Sequence, residues 1–168
     1  GPEPSTGAKG VSYHYSREPG EQGTIHTVDG AAPGVALSTL LQSGRPPLRA
    51  CLQIGSAIAD ILTIAEEDRA VHGDIKPGDV TVLANGAVAL DGFGNSRRST
   101  RAPEDRPEGP LTDVFGLGVV MHSLLSDKPL GMLPRDPDAH DSAVVKRVME
   151  MDFGDLEGKR WLDDARRF

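Results

Sequence analysis

The densest group of chemically capable side chains lies in residues 71–80, which read VHGDIKPGDV. An aspartate on a loop can accept a proton from a substrate hydroxyl, and Asp74 is a candidate for that role. Lys76, two residues later, can neutralise charge on a transferring phosphoryl group. Asp79, five residues after Asp74, offers the hard oxygen ligands that divalent cations prefer. These residue types at this spacing could therefore take part in phosphoryl transfer.

Further short motifs follow this run along the chain. Residues 90–94 read LDGFG, residues 102–104 read APE, and residues 112–118 read TDVFGLG. Asn85-Gly86 separates the first motif from the second and is a strong signal for a two-residue hairpin turn. Candidate functional residues therefore lie on loops at both ends of a predicted hairpin.

Hydrophobic periodicity predicts the elements that position these motifs. Apolar residues alternate with polar ones in residues 11–16, and a second short strand follows over residues 24–28 after a turn. Apolar residues at helical spacing predict helices. These helices cover residues 35–42, 48–67, 113–125, a stretch that opens at 136–137, and a last segment from 161. The helix over residues 113–125 is apolar almost all round, which is typical of a core helix.

Composition limits the class of protein. The chain has 168 residues, 38% of them hydrophobic, and a net charge of −7, which argues against a basic nucleic-acid interface. Its one cysteine, Cys51, can form neither an internal disulfide nor a zinc cage, and we expect it to be a buried, inert thiol. We expect a soluble, cytoplasmic domain without membrane insertion, since we find no long uninterrupted apolar run. His14, His26, His122 and His140 lack ligand spacing.

The order of the motifs resembles the C-terminal lobe of bacterial eukaryotic-like Ser/Thr protein kinases. The run HGDIKP at 72–77 resembles the catalytic loop H-R-D-L-K-P, Phe93-Gly94 stand where D-F-G ends, and residues 102–104 match A-P-E. The resemblance implies an α+β, mainly α fold with short β-hairpins and a buried central helix that begins near Asp113. It implies an N-terminal lobe that is absent or reduced to one hairpin.

The same resemblance assigns roles and boundaries. Asp74 and Lys76 take the catalytic positions, and five residues take structural ones: His72, Phe93, Gly94, Glu104 and Asp113. We expect His72 to pack against Phe93, and Asp113 to cap its helix and hold the loop. Residues 1–10 are expected to be a flexible lead, and residues 11–168 the kinase-like lobe. Within that lobe, 11–34 form a hairpin and hinge-like segment and 35–168 a helical body.

Several positions depart from the family pattern. Gly92 stands where D-F-G has its metal-binding aspartate, and Gly73 replaces the arginine of the catalytic loop. Only seven residues, 95–101, separate Gly94 from the A-P-E motif, and no G-x-G-x-x-G precedes a V-A-I-K motif. Phosphoryl transfer depends on positioning and charge neutralisation, which these departures weaken. They predict a pseudokinase that is not an enzyme, has no cofactor, and retains Asp74 and Lys76 only as vestiges.

The predicted role is then a protein-binding, scaffolding or regulatory module. Its partner would be another protein or another domain of the parent chain, and not a nucleic acid. Arg97, Arg98 and Arg101 are candidates for docking an acidic partner peptide, while Asp79 and Asp91 are candidates for a cation site.

Three alternatives remain at this stage. The first is a residual or split Ser/Thr kinase domain that uses Asp74 and Asp79 with ATP and Mg²⁺ or Mn²⁺. The second is an aminoglycoside-type phosphotransferase, which shares the His72-Gly73-Asp74 triplet but is disfavoured by the A-P-E motif. The third is a metal-dependent hydrolase built on Asp74, Asp79 and Asp91.

Overall fold

A computed structural model describes residues 11–16, 21–30, 32–93, 109–126, 133–134 and 136–150. Within these residues the chain is α+β, with a five-stranded sheet and four α-helices. The elements follow in the order β1 (Val11–Ser16), β2 (Thr24–Asp29), β3 (Val35–Ala36), α1 (Leu37–Leu41), α2 (Leu48–Glu67), β4 (Val80–Val82), β5 (Val88–Phe93), α3 (Pro110–Leu125) and α4 (Pro137–Met149). A 3₁₀ turn, Pro77–Asp79, leads into β4.

The strands form one antiparallel sheet in the order β2-β1-β5-β4-β3. The predicted hairpins are present, but β1 pairs with β5 as well as with β2, which places Tyr13 opposite Leu90 and Tyr15 opposite Val88. The sequence does not reveal this join, because strand pairing over such a distance leaves no local pattern. The first hairpin is therefore continuous with the sheet of the helical body.

The turn between β4 and β5 follows the Asn85-Gly86 prediction. Gly86 adopts φ +81°, a backbone conformation that costs glycine little. The Asn85 side chain accepts a hydrogen bond from the Ala87 N–H at 3.0 Å, and the Leu83 N–H donates to the Ala87 carbonyl at 2.9 Å. This hairpin places β5, which includes residues 90–93, next to the loop that precedes β4.

An irregularity in β5 decides where its side chains point. Val11 pairs with Phe93 and Tyr13 with Leu90, so three residue steps of β5 lie opposite two steps of β1. Gly92 adopts φ +92° at this bulge. The extra residue resets the alternation of the strand, so Leu90 and Phe93 both enter the hydrophobic core. Asp91 instead shares the reverse face of the sheet with Ser12 and Thr81, to which it is hydrogen-bonded.

Helix α2 supplies much of the core, as its apolar spacing predicts. Cys51, Ile58 and Ile61 are fully buried and pack in the same cluster as Tyr13 and Leu90. With 20 residues and a mean hydropathy of 1.4, α2 is long and apolar enough to cross a membrane by length and composition. A core helix of a folded domain passes the same test, and the buried side chains of α2 form such a core here. Burial also raises the pKa of the Cys51 thiol, as expected for an inert cysteine.

Helix α3 packs closely against α2, but its first turns are exposed. Gly55 of α2 faces Met121, and a Cβ atom at that glycine would overlap the Met121 sulfur. In its first turns, however, Leu111 is 71% exposed and Val114 is 59% exposed. The expectation of a helix buried all round is therefore wrong there, because apolar composition identifies a core helix but not how much of its length is covered.

The two remaining helices differ from their expected extents or environment. Val35 and Ala36 pair with β4 as strand β3, so α1 begins only at Leu37. Helix α4 begins where expected, since the Asp136 side chain accepts from the Ala139 N–H at 2.9 Å. Its apolar residues Val145, Val148 and Met149 are exposed.

Candidate active site

The loop of residues 72–79 is anchored on helix α3 by one buried carboxylate. Asp113 accepts hydrogen bonds from the His72 N–H at 2.9 Å and from the Gly73 N–H at 2.8 Å. Gly73 adopts φ +84°, a backbone conformation that favours glycine, and its N–H and that of His72 both point toward this side chain. Asp113 thus holds the loop, as expected, but it does not cap α3, because the helix already begins at Pro110.

A second contact sets how closely the loop and α3 can approach. Gly116 lies against Ile75, and a Cβ atom at Gly116 would be 2.7 Å from the Ile75 Cβ atom. Ile75 is fully buried, so the loop carries an apolar anchor between its two polar residues Asp74 and Lys76. Asp113 and Gly116 are one helical turn apart, so one face of α3 makes both contacts.

His72 links the loop to strand β5. Its Nε2 atom is 2.6 Å from the Asp91 carbonyl oxygen, and its Nδ1 atom accepts from the Asp74 N–H at 3.3 Å. Since Nδ1 accepts, the ring proton lies on Nε2, which donates to the carbonyl. The ring also packs edge-on against Phe93, with 5.0 Å between centroids. The expected packing of His72 on Phe93 is present.

The candidate reactive groups form a short chain of ion pairs. Lys76 Nζ lies 3.0 Å from Asp74 Oδ2 and 3.5 Å from Asp79 Oδ2, and Asp79 also accepts from the Lys76 N–H at 3.1 Å. The Asp74 side chain is 5% exposed, whereas that of Lys76 is 42% exposed. The lysine therefore connects a buried carboxylate to the solvent-facing side of the loop.

Burial and charge act in opposite directions on this group. Burial alone would lower the pKa of Lys76, but its hydrogen bond to Asp74 and the charges of Asp79 and Asp74 raise it overall. The pKa of Asp79 is also raised, because its burial outweighs the stabilising charge of Lys76. Burial affects the pKa of Asp79 more than that of Lys76, because Asp79 is the more buried of the two side chains. Lys76 is thus held as a cation beside Asp74.

The two candidate metal ligands occupy different environments. Asp79 is engaged by Lys76, while Asp91 accepts hydrogen bonds from Ser12, Thr81 and the Ala32 N–H on the reverse face of the sheet. In the part of the chain that the structure describes, no group of three His, Cys, Asp or Glu side chains could hold a metal ion. Among these residues, Asp79 and Asp91 are therefore engaged by protein groups rather than gathered around one point.

Other predicted residues lie outside the described part of the chain. They are Gly94, Arg97, Arg98, Arg101 and Glu104. Two residues that contribute to the site were not predicted, namely Ser12 and Thr81, which bind the Asp91 carboxylate. The alternation of β1 and β4 could have placed both hydroxyls on the face away from the core. Their connection to Asp91 required knowledge of the bulge in β5.

Comparison with known proteins supports the motif-based interpretation at the level of the family. No protein-family model matches the chain. It is 29% identical over 158 residues to the serine/threonine-protein kinase PknA of Mycobacterium tuberculosis, covering 82% of this chain and 36% of PknA. It is 28% identical over 137 residues to the serine/threonine-protein kinases drp72 of Corynebacterium efficiens, covering 70% and 26%. The chain is similar to Ser/Thr protein kinases.

A vertebrate relative extends this similarity. The kinase-like chain is 30% identical over 112 residues to Aurora kinase C of Mus musculus, covering 57% of this chain and 39% of the relative. The chain therefore spans less than two fifths of the length of each of these three relatives. The similarity confirms the resemblance to Ser/Thr protein kinases, including those of bacteria.

The prediction that the domain is not an enzyme is wrong by these comparisons. The relatives described above are all named as protein kinases, which points to a kinase enzyme. The prediction gave decisive weight to the loss of the metal-binding aspartate at Gly92 and to the missing G-x-G-x-x-G motif, although neither departure removes the Asp74–Lys76 pair or its anchor on Asp113. The comparisons do not test the pseudokinase or scaffolding role.

Proposed function

We propose that the kinase-like domain transfers a phosphoryl group to a hydroxyl-bearing substrate, with Asp74 as the proton acceptor. The observation that carries this proposal is the Asp74–Lys76 ion pair on a loop fixed to α3 by Asp113. A general base works best when its position is fixed before the substrate arrives. The names of the relatives support ATP as the phosphoryl donor and a protein as the acceptor.

In this proposal, different residues of the loop carry out proton transfer and charge neutralisation. In the proposed reaction the substrate oxygen attacks the γ-phosphorus of ATP, and the bond from that phosphorus to the ADP oxygen breaks. The hydroxyl proton moves to the Asp74 carboxylate. The partly exposed Lys76 ammonium lies next to this carboxylate and stabilises negative charge on the transferred group. Asp79 orients Lys76 from its other side.

A phosphorylation assay tests this role. The full chain is incubated with radiolabelled ATP, Mg²⁺ or Mn²⁺, and casein as the hydroxyl acceptor. We expect Asp74→Asn to lower the rate of labelling by roughly 10²–10⁴-fold, which is the usual contribution of a general base. Asp60→Asn, at an exposed carboxylate of α2, is the matched control and should label at the wild-type rate. Equal rates for the two variants, or no labelling by the wild type, would overturn the proposal.

A protein-binding role is a second proposal, and exposed apolar side chains favour it. Val145, Val148 and Met149 lie three and four residues apart on α4, and Met149 is 81% exposed. Such a stripe is typical of a helix face that a partner covers. We propose that another domain of the parent chain, or another protein, binds there. This role does not depend on the state of the catalytic loop.

Lys146 provides a direct test of that binding role. Its side chain is 73% exposed on the same helix, so an amine-reactive cross-linker can reach it. Cross-linking of the full-length parent protein should join Lys146 to another domain or protein, and Val148→Glu should weaken that product. If Lys146 forms cross-links only within residues 1–168, the binding role is wrong.

We also propose a cytoplasmic location, on the resemblance to bacterial protein kinases.

A further inference from the structure

One residue on the reverse face of the sheet connects to the catalytic loop through its backbone. Asp91 binds three polar groups with its side chain and His72 with its carbonyl oxygen. We propose that Asp91 is a positioning residue that sets the orientation of His72 and thereby of Asp74. This inference rests on the proposed function of Asp74, but its structural part is tested separately below. We call Ser12, Ala32, Thr81 and Asp91 the reverse-face network.

Both oxygens of the Asp91 carboxylate are engaged in this network. Oδ1 accepts from the Ser12 hydroxyl at 2.6 Å and from the Ala32 N–H at 3.0 Å, and Oδ2 accepts from the Thr81 hydroxyl at 2.6 Å. The Ser12 hydroxyl also contacts the Gly30 carbonyl oxygen. Ser12 and Thr81 are buried, so water does not readily replace these bonds. Hydrogen bonds to a carboxylate are about twice as strong as neutral ones.

The network joins segments that are distant in the sequence. Ser12 belongs to β1, Thr81 to β4, and Ala32 to the segment between β2 and β3. Asp91 therefore holds three segments at one point of β5. Because Asp91 directly precedes the bulge at Gly92, any rotation of its peptide changes where its carbonyl oxygen points.

That carbonyl oxygen is where the network meets the catalytic loop. It accepts from His72 Nε2 at 2.6 Å, and His72 Nδ1 accepts from the Asp74 N–H at 3.3 Å. A fixed carbonyl selects the tautomer with its proton on Nε2, and only this tautomer leaves Nδ1 free to accept. The Asp91 side chain thus acts on Asp74 through one carbonyl group and one imidazole ring.

Truncation and conservative replacement of Asp91 should have different effects on the His72 tautomer. Asp91→Ala removes every side-chain bond of the network, whereas Asp91→Asn keeps an oxygen for Ser12 and Ala32 and an amide that can donate to the Thr81 oxygen. We expect Asp91→Ala to release the peptide and allow both His72 tautomers. Asp91→Asn should retain the wild-type tautomer. Asp60→Ala, on the exposed side of α2, is the control.

Nitrogen NMR of the full chain labelled at histidine reads the tautomer directly, with His72→Gln to assign the signals. In the wild type and in Asp91→Asn, Nδ1 of His72 should be unprotonated and Nε2 protonated. In Asp91→Ala the two signals should move toward each other, and the Ala32 amide should exchange with solvent roughly tenfold faster, as expected for a lost hydrogen bond. Unchanged His72 signals in Asp91→Ala would overturn the inference.

A less disruptive variant and the kinetics of phosphorylation complete the test. If Asp91→Ala does not fold, Thr81→Val removes one hydroxyl at nearly constant size and should produce the same change of the His72 signals at smaller amplitude. In the phosphorylation assay, Asp91→Ala should lower kcat roughly tenfold with KM for ATP unchanged, and Asp91→Asn should restore it. A lost tautomer with unchanged kcat would overturn the positioning role. Absence of labelling by the wild type would overturn the proposed function, while the NMR result would still decide whether Asp91 sets His72.

Discussion

The catalytic loop has two supports, which hold it by different means. On the helix side, Asp113 binds two backbone N–H groups and Gly116 allows α3 to touch Ile75. On the strand side, the support consists of one carbonyl oxygen and the ring of Phe93, both facing His72. The direct packing of Gly116 on Ile75 leaves the helix side little room to adjust, whereas the single hydrogen bond and ring contact of His72 leave the strand side more. We therefore expect the loop to be fixed by α3 and fine-tuned by β5.

The largest expected effect comes from removal of the helix-side carboxylate. Asp113→Ala leaves the buried His72 and Gly73 N–H groups without their acceptor. Each unpaired buried group costs roughly 1–3 kcal/mol of unfolding free energy. Urea denaturation measures this loss, and Asp113→Asn, which keeps one acceptor oxygen, should lose about half as much. Equal stability of wild type and Asp113→Ala would show that α3 does not fix the loop.

A pair of glycines on α3 tests whether close packing contributes to the same support. A methyl group at Gly116 would overlap Ile75, so we expect Gly116→Ala to cost roughly 1–3 kcal/mol of unfolding free energy. Among the described residues, no heavy atom outside the helix backbone lies within 4 Å of such a methyl group at Gly118, so Gly118→Ala should stabilise by about 0.5–1 kcal/mol through helix propensity alone. Opposite signs for the two variants in one denaturation series would confirm the contact. The same sign for both would contradict it.

The helix side was also the more predictable of the two supports. The motif order placed Asp113 on a helix and assigned it to the loop, and the apolar spacing of α2 predicted its core face. Those features depend on residue type and on local periodicity, which a sequence displays directly. The expected packing of His72 on Phe93 followed from the same motifs.

The contacts on the strand side could not be predicted from the sequence in the same way. A strict alternation along β5 would place Leu90 and Phe93 on opposite faces, but the bulge at Gly92 brings both into the core. The pairing of β1 with β5, which brings Ser12 to Asp91, joins residues 79 positions apart. Such contacts depend on the tertiary fold. The prediction of a cation site at Asp79 and Asp91 did not include these contacts, and the structure shows Asp91 in a hydrogen-bond network.

A third variant tests the bulge that separates the two faces of β5. Gly92 adopts φ +92°, so we expect Gly92→Ala to cost about 1–2 kcal/mol of unfolding free energy through left-handed backbone strain. Gly92→Asn should cost less, because asparagine tolerates this region better than alanine. Thermal unfolding of the two variants measures the difference. If Gly92→Ala is as stable as the wild type, the bulge is not held in this conformation.

The smallest expected effect is a pH dependence on the reverse face beside Asp91. Burial lowers the pKa of His14 below its ordinary value of 6.5, the nearby His26 lowers it further, and Asp91 opposes both. The unfolded chain then binds a proton at His14 more readily than the folded chain, so stability is lost as pH falls below about 6.5. His122 contributes in the same direction, because burial and the charge of Arg147 lower its pKa as well. Urea denaturation between about pH 7 and pH 5.5 should show a shallower slope for His14→Gln than for the wild type, and a shallower one still when His122→Gln is added. If His14→Gln leaves the pH dependence of the unfolding free energy unchanged, His14 is hydrated in the folded chain. The reverse face of the sheet at β1 would then be open to water, and the strand-side support would be loosely packed there as well as at His72.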